Sequence, residues 1–281
     1  MIISKPEEGK LVAASAEKNG MALRILRETE TLCTLVSDST RLPYVECDEE
    51  TCDDEILVFD NEKEAKHAAE VLRESGCPVR MMTIPLKQRL AFFSSLFSMG
   101  VNAVLLNKDT DRQYLLDLDL VITRPGIPRF SAEIGERVKK GEKVKFRVEN
   151  PEFHLTAIYF TQMARGQRAD QCAEELKELQ EEMMIHYREG YYLAARAEDG
   201  GTPLLRIKDS GSLQPIFTDM QEFVKFQHAN AGKQLKTSVV TEAEFLKHIA
   251  KEATGIVVNP FGISLVLRVN RNQKQSGNGN T

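Results

Sequence analysis

An α+β fold is predicted, with two repeated lobes of mixed β-sheet flanked by helices and joined by a strand and helical linking segment. Three observations predict it: a length of 281 residues, apolar runs that switch between strand and helix periods, and an order of runs that recurs in both halves. At roughly 150 residues per domain the length suits about two domains, each able to bury its own core. With 37 Lys+Arg against 42 Asp+Glu the net charge is −5, and 42% of residues are hydrophobic. Collagen, wholesale disorder and small disulfide scaffolds are excluded. A mildly acidic chain also lacks general attraction for phosphate backbones or anionic lipid.

The first copy starts with strand-like pieces at Thr31 to Val36 and Leu42 to Glu46. Glu55-Ile56-Leu57-Val58-Phe59 reads as a short buried strand, followed by the capping candidates Asp60 and Asn61 with Glu64 behind them. Ala65, Ala68, Ala69 and Leu72 then fall on one helical face, and Gly76-Cys77-Pro78 stops the helix. Val79 to Ile84 is a strand. After Pro85, the spacing of Leu86, Leu90, Phe93 and Phe97 predicts a second helix closed by Gly100. Val101 to Leu106 is a further buried strand ending at Asn107. The apolar stretch Leu90 to Leu106 is broken by Ser94, Ser95, Ser98, Gly100 and Asn102, so a buried helix and strand explain it better than a membrane span.

The second copy repeats the order. Tyr191 to Ala197 and Pro203 to Ile207 are strand-like, and Leu213 to Phe217 matches Glu55 to Phe59. A helix is expected from Thr218, capped with Gln221, burying Met220, Phe223, Val224 and Gln227 and ending at Gly232. Leu235 to Val240 is the middle strand, and Thr241 with Glu244 forms a capping box for a helix carrying Phe245, Leu246 and Ile249. Gly255 to Asn259 repeats the strand that ends at Asn107.

Between the copies, Leu118 to Thr123 reads as a strand and Arg124-Pro-Gly-Ile-Pro128 as a stiff link. Pro151 to Arg165 and Arg168 to Tyr187 read as helices. In the second of these, Cys172, Leu176, Leu179 and Met183 face inward and the glutamates outward. The expected divisions are an N-terminal lobe over 1–125, a linking hairpin and helices over 126–186, a C-terminal lobe over 187–270 and a disordered polar tail over 271–281.

At Pro215-Ile-Phe-Thr-Asp219, followed by Gly255-Ile-Val-Val-Asn-Pro-Phe-Gly262, the chain resembles the N-terminal domain of the bacterial SseB family. The likeness runs from about Tyr187 to Leu267, and element order adds a weaker copy from about Thr31 to Asn107. The first copy departs from the pattern: Lys108 follows Asn107, and Val58-Phe59-Asp60 stands where the family prefers Pro-x-Phe-Thr. The resemblance implies a cytoplasmic α+β module of undefined biochemical role and supplies no catalytic residues.

Candidate binding residues are Asn259, Pro260, Phe261 and Gly262 in the loop after the last strand, Thr218 and Asp219 at the helix start beside it, and Asn107 in the first copy. Asn259 offers an amide and Phe261 a stacking surface, although Asn-Pro and Gly are also plain turn formers. Cys47-Asp-Glu-Glu-Thr-Cys52 sits in a run with seven acidic residues between Glu46 and Glu55, which suits a solvated hairpin loop better than a zinc or redox site. Arg137 to Arg147 holds six basic residues around Gly141 and suits a β-hairpin with a basic outer face. The five histidines lack metal-ligand spacing, and no nucleophile elbow, P-loop or dinucleotide fingerprint is present. No cofactor or metal is expected.

Function is therefore expected to be a non-catalytic interaction module that engages a protein partner or small ligand through the loops after the last strand of each lobe. One alternative is an enzyme whose active site between the lobes is assembled from dispersed residues. Another is weak nucleic-acid binding through the basic hairpin, which the net charge disfavours. Met1 to Lys10 lacks the basic start and apolar run of an export signal, and five cysteines are too sparse for a disulfide framework, so a cytoplasmic protein without a membrane segment is expected.

Overall fold

In each half of the chain, a run of β-branched and large apolar residues forms a central strand because both of its faces are covered. In the computed structural model, which describes residues 19–269 apart from 168, 199, 208, 209 and 233, these runs organise two mixed six-stranded sheets. The fold is α+β. The predicted tail and the Met1 to Lys10 segment lie outside the described residues.

The chain divides into one unit made of 1–126 and 151–184 and another made of 127–150 and 185–281. The segment 126–186 is thus shared between the two units.

In the first unit, a helix over 19–28 (α1) leads into β1 (Thr31–Ser37), β2 (Val45–Cys47), β3 (Asp54–Phe59), α2 (Glu62–Glu74), β4 (Val79–Pro85), α3 (Arg89–Met99), β5 (Ala103–Leu106), β6 (Tyr114–Asp117) and α4 (Leu118–Val121). The sheet order is β4-β1-β3-β5-β6, with β2 paired to β3. The β3–β5 pair is parallel, from Glu55 opposite Ala103 to Val58 opposite Leu106. Helix α2 lays Ala65 and Ala69 on Leu57, Phe59 and Leu105, with Ala68 and Leu72 at the margin, as the spacing predicts. Gly100 ends α3 with φ +87, where a Cβ would meet the Pro151 carbonyl oxygen at 2.7 Å, so only glycine fits.

Two expectations fail in this unit. Leu118 to Thr123 is not a strand: β6 already occupies the sheet edge at Tyr114–Asp117, and the chain turns into α4. The stripe of α3 is rotated because a 3-10 turn at Leu86–Gln88 precedes the helix. Leu86 and Leu90 are therefore 53% and 72% exposed, while Arg89, Phe93 and Leu96 face inward.

The second unit begins with α5 (Ala132–Lys139). The basic segment is consequently not a hairpin. Ser131 caps the helix by accepting from Ile134 N at 3.3 Å, and basic Arg137 and Lys139 complement its last turn. Gly141 at φ +85 then turns the chain into an extended stretch in which Arg147 bridges Arg129. Arg137 pairs with Glu142 and Lys139 with Glu136, so two of its cations are internally balanced.

Helix α6 (Pro151–Ala164) belongs to the first unit, and α7 (Ala173–Glu189) crosses the division. Met183 is buried, with Leu176 and Leu179 half-buried. Then follow β7 (Tyr191–Ala197), β8 (Leu205–Ile207), β9 (Gly211–Phe217), α8 (Met220–Ala229), β10 (Leu235–Thr241), α9 (Glu242–Lys247), β11 (Gly255–Val258) and β12 (Leu265–Arg268). The order β10-β7-β9-β11-β12, with β8 on β9, repeats the first sheet strand for strand. Asp219, not Thr218, caps α8, accepting from Gln221 N at 2.8 Å and Glu222 N at 3.0 Å. That shifts the buried face to Phe223 and Phe226 and leaves Met220 and Val224 exposed. The Thr241–Glu244 capping box forms as predicted.

Candidate functional site

Asn107 and Asn259 end the central parallel strands and occupy equivalent places. Each has left-handed backbone, φ 55 and 48, which asparagine tolerates better than most residues. Asn107 N donates to Val58 O at 2.8 Å while its Oδ1 accepts from Asp60 N at 3.0 Å. Asn259 N donates to Ile216 O at 3.0 Å and its Oδ1 accepts from Thr218 N at 3.0 Å. Its Nδ2 donates to Thr218 Oγ1 at 2.8 Å, and that hydroxyl in turn donates to Asp219 Oδ2 at 2.8 Å. These asparagines tie neighbouring strand ends together.

The structure therefore brings Thr218, Asp219, Asn259 and Gly262 to one end of the second sheet, as the sequence suggests, but spends their polar atoms internally. Asn107, Asn259 and Thr218 are 0% exposed. A Cβ at Gly262 would press on the Glu222 carboxylate at 2.8 Å. Pro260 is half-buried, and Phe261, 40% exposed, offers the loop's ring at 6.2 Å from Phe226.

A cavity of about 530 Å³ lies in the first unit, and Cys47 is the one lining residue that the sequence marks as a site candidate. Strand β2, the Gly76-Cys77-Pro78 turn, α6 and α7 supply its walls, with Tyr44, Val45, Pro78, Met163 and Leu179 as apolar lining. Part of the construction follows from strand pairing. Because β1 and β2 share one edge of β3, the outer edge of β2 carries unpaired peptide groups. Gln162 satisfies them: its Nε2 donates to Val45 O at 2.9 Å and its Oε1 accepts from Val45 N at 3.2 Å. Tyr159 OH donates to Asp54 Oδ1 at 2.7 Å.

Sulfur is concentrated here. Cys47, Cys77, Cys172 and Met163 all line the cavity, and Tyr44 OH points at Cys77 Sγ across 3.7 Å. Burial pushes the Tyr44 and Tyr159 hydroxyls well above the ordinary phenol range. Burial, reinforced by nearby Asp54, raises the Cys47 thiol. The Tyr44 and Tyr159 hydroxyls and the Cys47 thiol are thus held toward their neutral forms.

Glu46 on the rim pairs with Lys108. Opposite Glu46 in the β2–β3 register stands Glu55, 4% exposed, whose carboxyl is pushed up to about 7 by burial and then by Glu46. The acidic loop between them is a solvated turn, with Asp48 Oδ1 accepting from Glu50 N and Thr51 N at 2.9 and 2.8 Å. Among the described residues no group of three or more His, Cys, Asp or Glu is placed to hold a metal ion. Among them, too, no helix is long and apolar enough to cross a membrane.

No protein-family model and no curated protein matches the chain. A structure of Tic22 from Anabaena, described as a protein-transport protein, aligns over 84% of this chain and 91% of its own, with 11% identity and a TM-score of 0.21. Tic22 from Plasmodium falciparum aligns over 84% and 90%, with 9% identity and a TM-score of 0.20. TM-scores this low leave the backbones unsuperposed, and no property passes from either protein to this chain.

Proposed function

We propose that the protein is a non-catalytic binding module, in keeping with the SseB resemblance, and that the sulfur-lined cavity of its first unit receives an apolar group from a protein partner or small ligand. The observation that carries this reading is the cavity itself: about 530 Å³ of mostly apolar wall with Gln162 and Tyr159 already committed to internal bonds. Thioether and thiol linings adapt to varied apolar shapes. The asparagine loops act as struts in this reading, and the ligand seat moves from them to the cavity.

A titration with Nile red, an uncharged apolar fluorophore, tests it. One saturable site per chain is expected, lost in Met163→Glu and retained in Phe261→Ala. Binding that survives Met163→Glu, or disappears in Phe261→Ala while the fold is intact, contradicts it.

A further inference from the structure

Arg89 opens α3 yet is only 6% exposed. Its Nη1 donates to Leu26 O at 2.6 Å and its Nη2 to Thr29 O at 2.5 Å, carbonyls at the end of α1, where the helix dipole favours a cation. Nε finds no acceptor, and no carboxylate among the described residues pairs with the guanidinium. A buried cation without an anion is costly.

Cys33 pairs with Phe59 and Thr83, just as Leu193 pairs with Phe217 and Val239, so the two copies align through these strands. Between those strands and the next equivalent pair, Ala103 and Gly255, the first copy is four residues longer, so α3 and its Arg89 belong to a stretch that the copies do not share residue for residue.

Arg89 also lines a cavity of about 190 Å³, whose other walls are Leu23, Leu26, Phe93, Val121 and Ile122, with Arg27 and exposed Leu90 at its margin. That volume equals roughly six water molecules, room for a carboxyl group and a short hydrocarbon tail. A single buried cation matches a monoanion. A multiply charged phosphate would lose its hydration against leucine, phenylalanine and valine without a second buried partner.

We propose that this cavity binds a small monocarboxylate with an apolar tail, the carboxylate accepting from Arg89 and the tail lying against Leu23, Phe93 and Val121. It shares no lining residue with the larger cavity, so the two readings stand or fall separately.

Hexanoate titrated into the full chain by calorimetry is the test, with hexan-1-ol and hexylamine as matched tails lacking the negative charge. Hexanoate is expected to bind once per chain and at least roughly tenfold more tightly than either control, a charge-assisted hydrogen bond being worth about 1.4 kcal/mol or more. Arg89→Phe, which removes the buried cation and leaves an apolar side chain in its place, is expected to fold and lose hexanoate binding. Leu90→Asp, at a 72% exposed position, keeps Arg89 and places a like charge at the margin, so it is expected to weaken hexanoate more than hexan-1-ol. Equal affinity for hexanoate and hexan-1-ol, undiminished binding in Arg89→Phe, or no hexanoate binding by the folded wild type overturns the proposal.

Discussion

The two sheets have the same strand order, yet they fill equivalent places with different chemistry. Glu55 of the first stands where the second has Leu213, since Val58 and Ile216 are matched by their strand partners. Its cross-strand neighbour Glu46 is matched by Leu205. Under α2 the first unit packs Ala65; under α8 the second packs Phe223, which meets Phe217 edge-on at 5.5 Å. In the second unit Phe130 and Phe146 pack against the same cluster as Leu205, and Phe130 also meets Tyr191 at 4.9 Å. The second copy is thus the more aromatic version of the fold. Both copies bury carboxylates, Glu55 in the first and Asp219 and Glu222 in the second, but the first has small helix residues and described cavities of about 530 and 190 Å³ where the second has one of about 30 Å³.

The strongest test of this equivalence is a pair of strut deletions. Asn259→Ala removes partners from Thr218 N–H and hydroxyl at a fully buried site and should cost about 2–3 kcal/mol in urea denaturation. Asn107→Ala should cost less, about 1 kcal/mol, because its Nδ2 already lacks a partner. Equal losses would mean that the two struts are not differently loaded.

Glu55→Leu copies the second unit into the first. Folding lifts this carboxyl from an ordinary 4.5 to about 7, so the folded chain favours the protonated form. The stability linked to it is full below about pH 4.5 and is lost as pH rises through about 7. The substitution should therefore stabilise the chain by about 1–2 kcal/mol at pH 8, after allowance for solvent screening, and by less at pH 5. Melting curves at the two pH values check this; a gain that does not shrink on acidification contradicts the assigned charge.

Helix caps give the smallest contrast. Asp219 receives two backbone N–H groups and the Thr218 hydroxyl, whereas exposed Asn61 receives Lys63 N alone. Asp219→Ala should cost about 1 kcal/mol and Asn61→Ala about half of that.

The internal repeat made most of the fold legible, because buried strands such as Ile56 to Phe59 and Ile256 to Val258 stand out as unbroken apolar runs. Strands β6 and β12 are not legible in the sequence: Tyr114–Asp117 and Leu265–Arg268 are short edge segments without a clear period. The basic segment misled because Val144, Phe146 and Val148 do alternate, but the Ser131 cap upstream started a helix first. The asparagine loops were visible as motifs, while their role as struts depends on strand register. The larger cavity joins residues as far apart as Ser37 and Leu179, and only its cysteine in the acidic loop stands out in the sequence. Arg89 was hidden inside an apolar helix pattern whose frame the 3-10 turn rotates.

The central claim is that an apolar guest enters the sulfur-lined cavity of the first copy and leaves the core of the second untouched. Methyl-labelled NMR of the full chain during a Nile red titration tests it most directly. The account predicts saturable shifts at Val45, Met163 and Leu179, with Leu205, Leu235 and Val239 unmoved. Shifts centred on the second set, or none at the first set when the dye is bound, would contradict it.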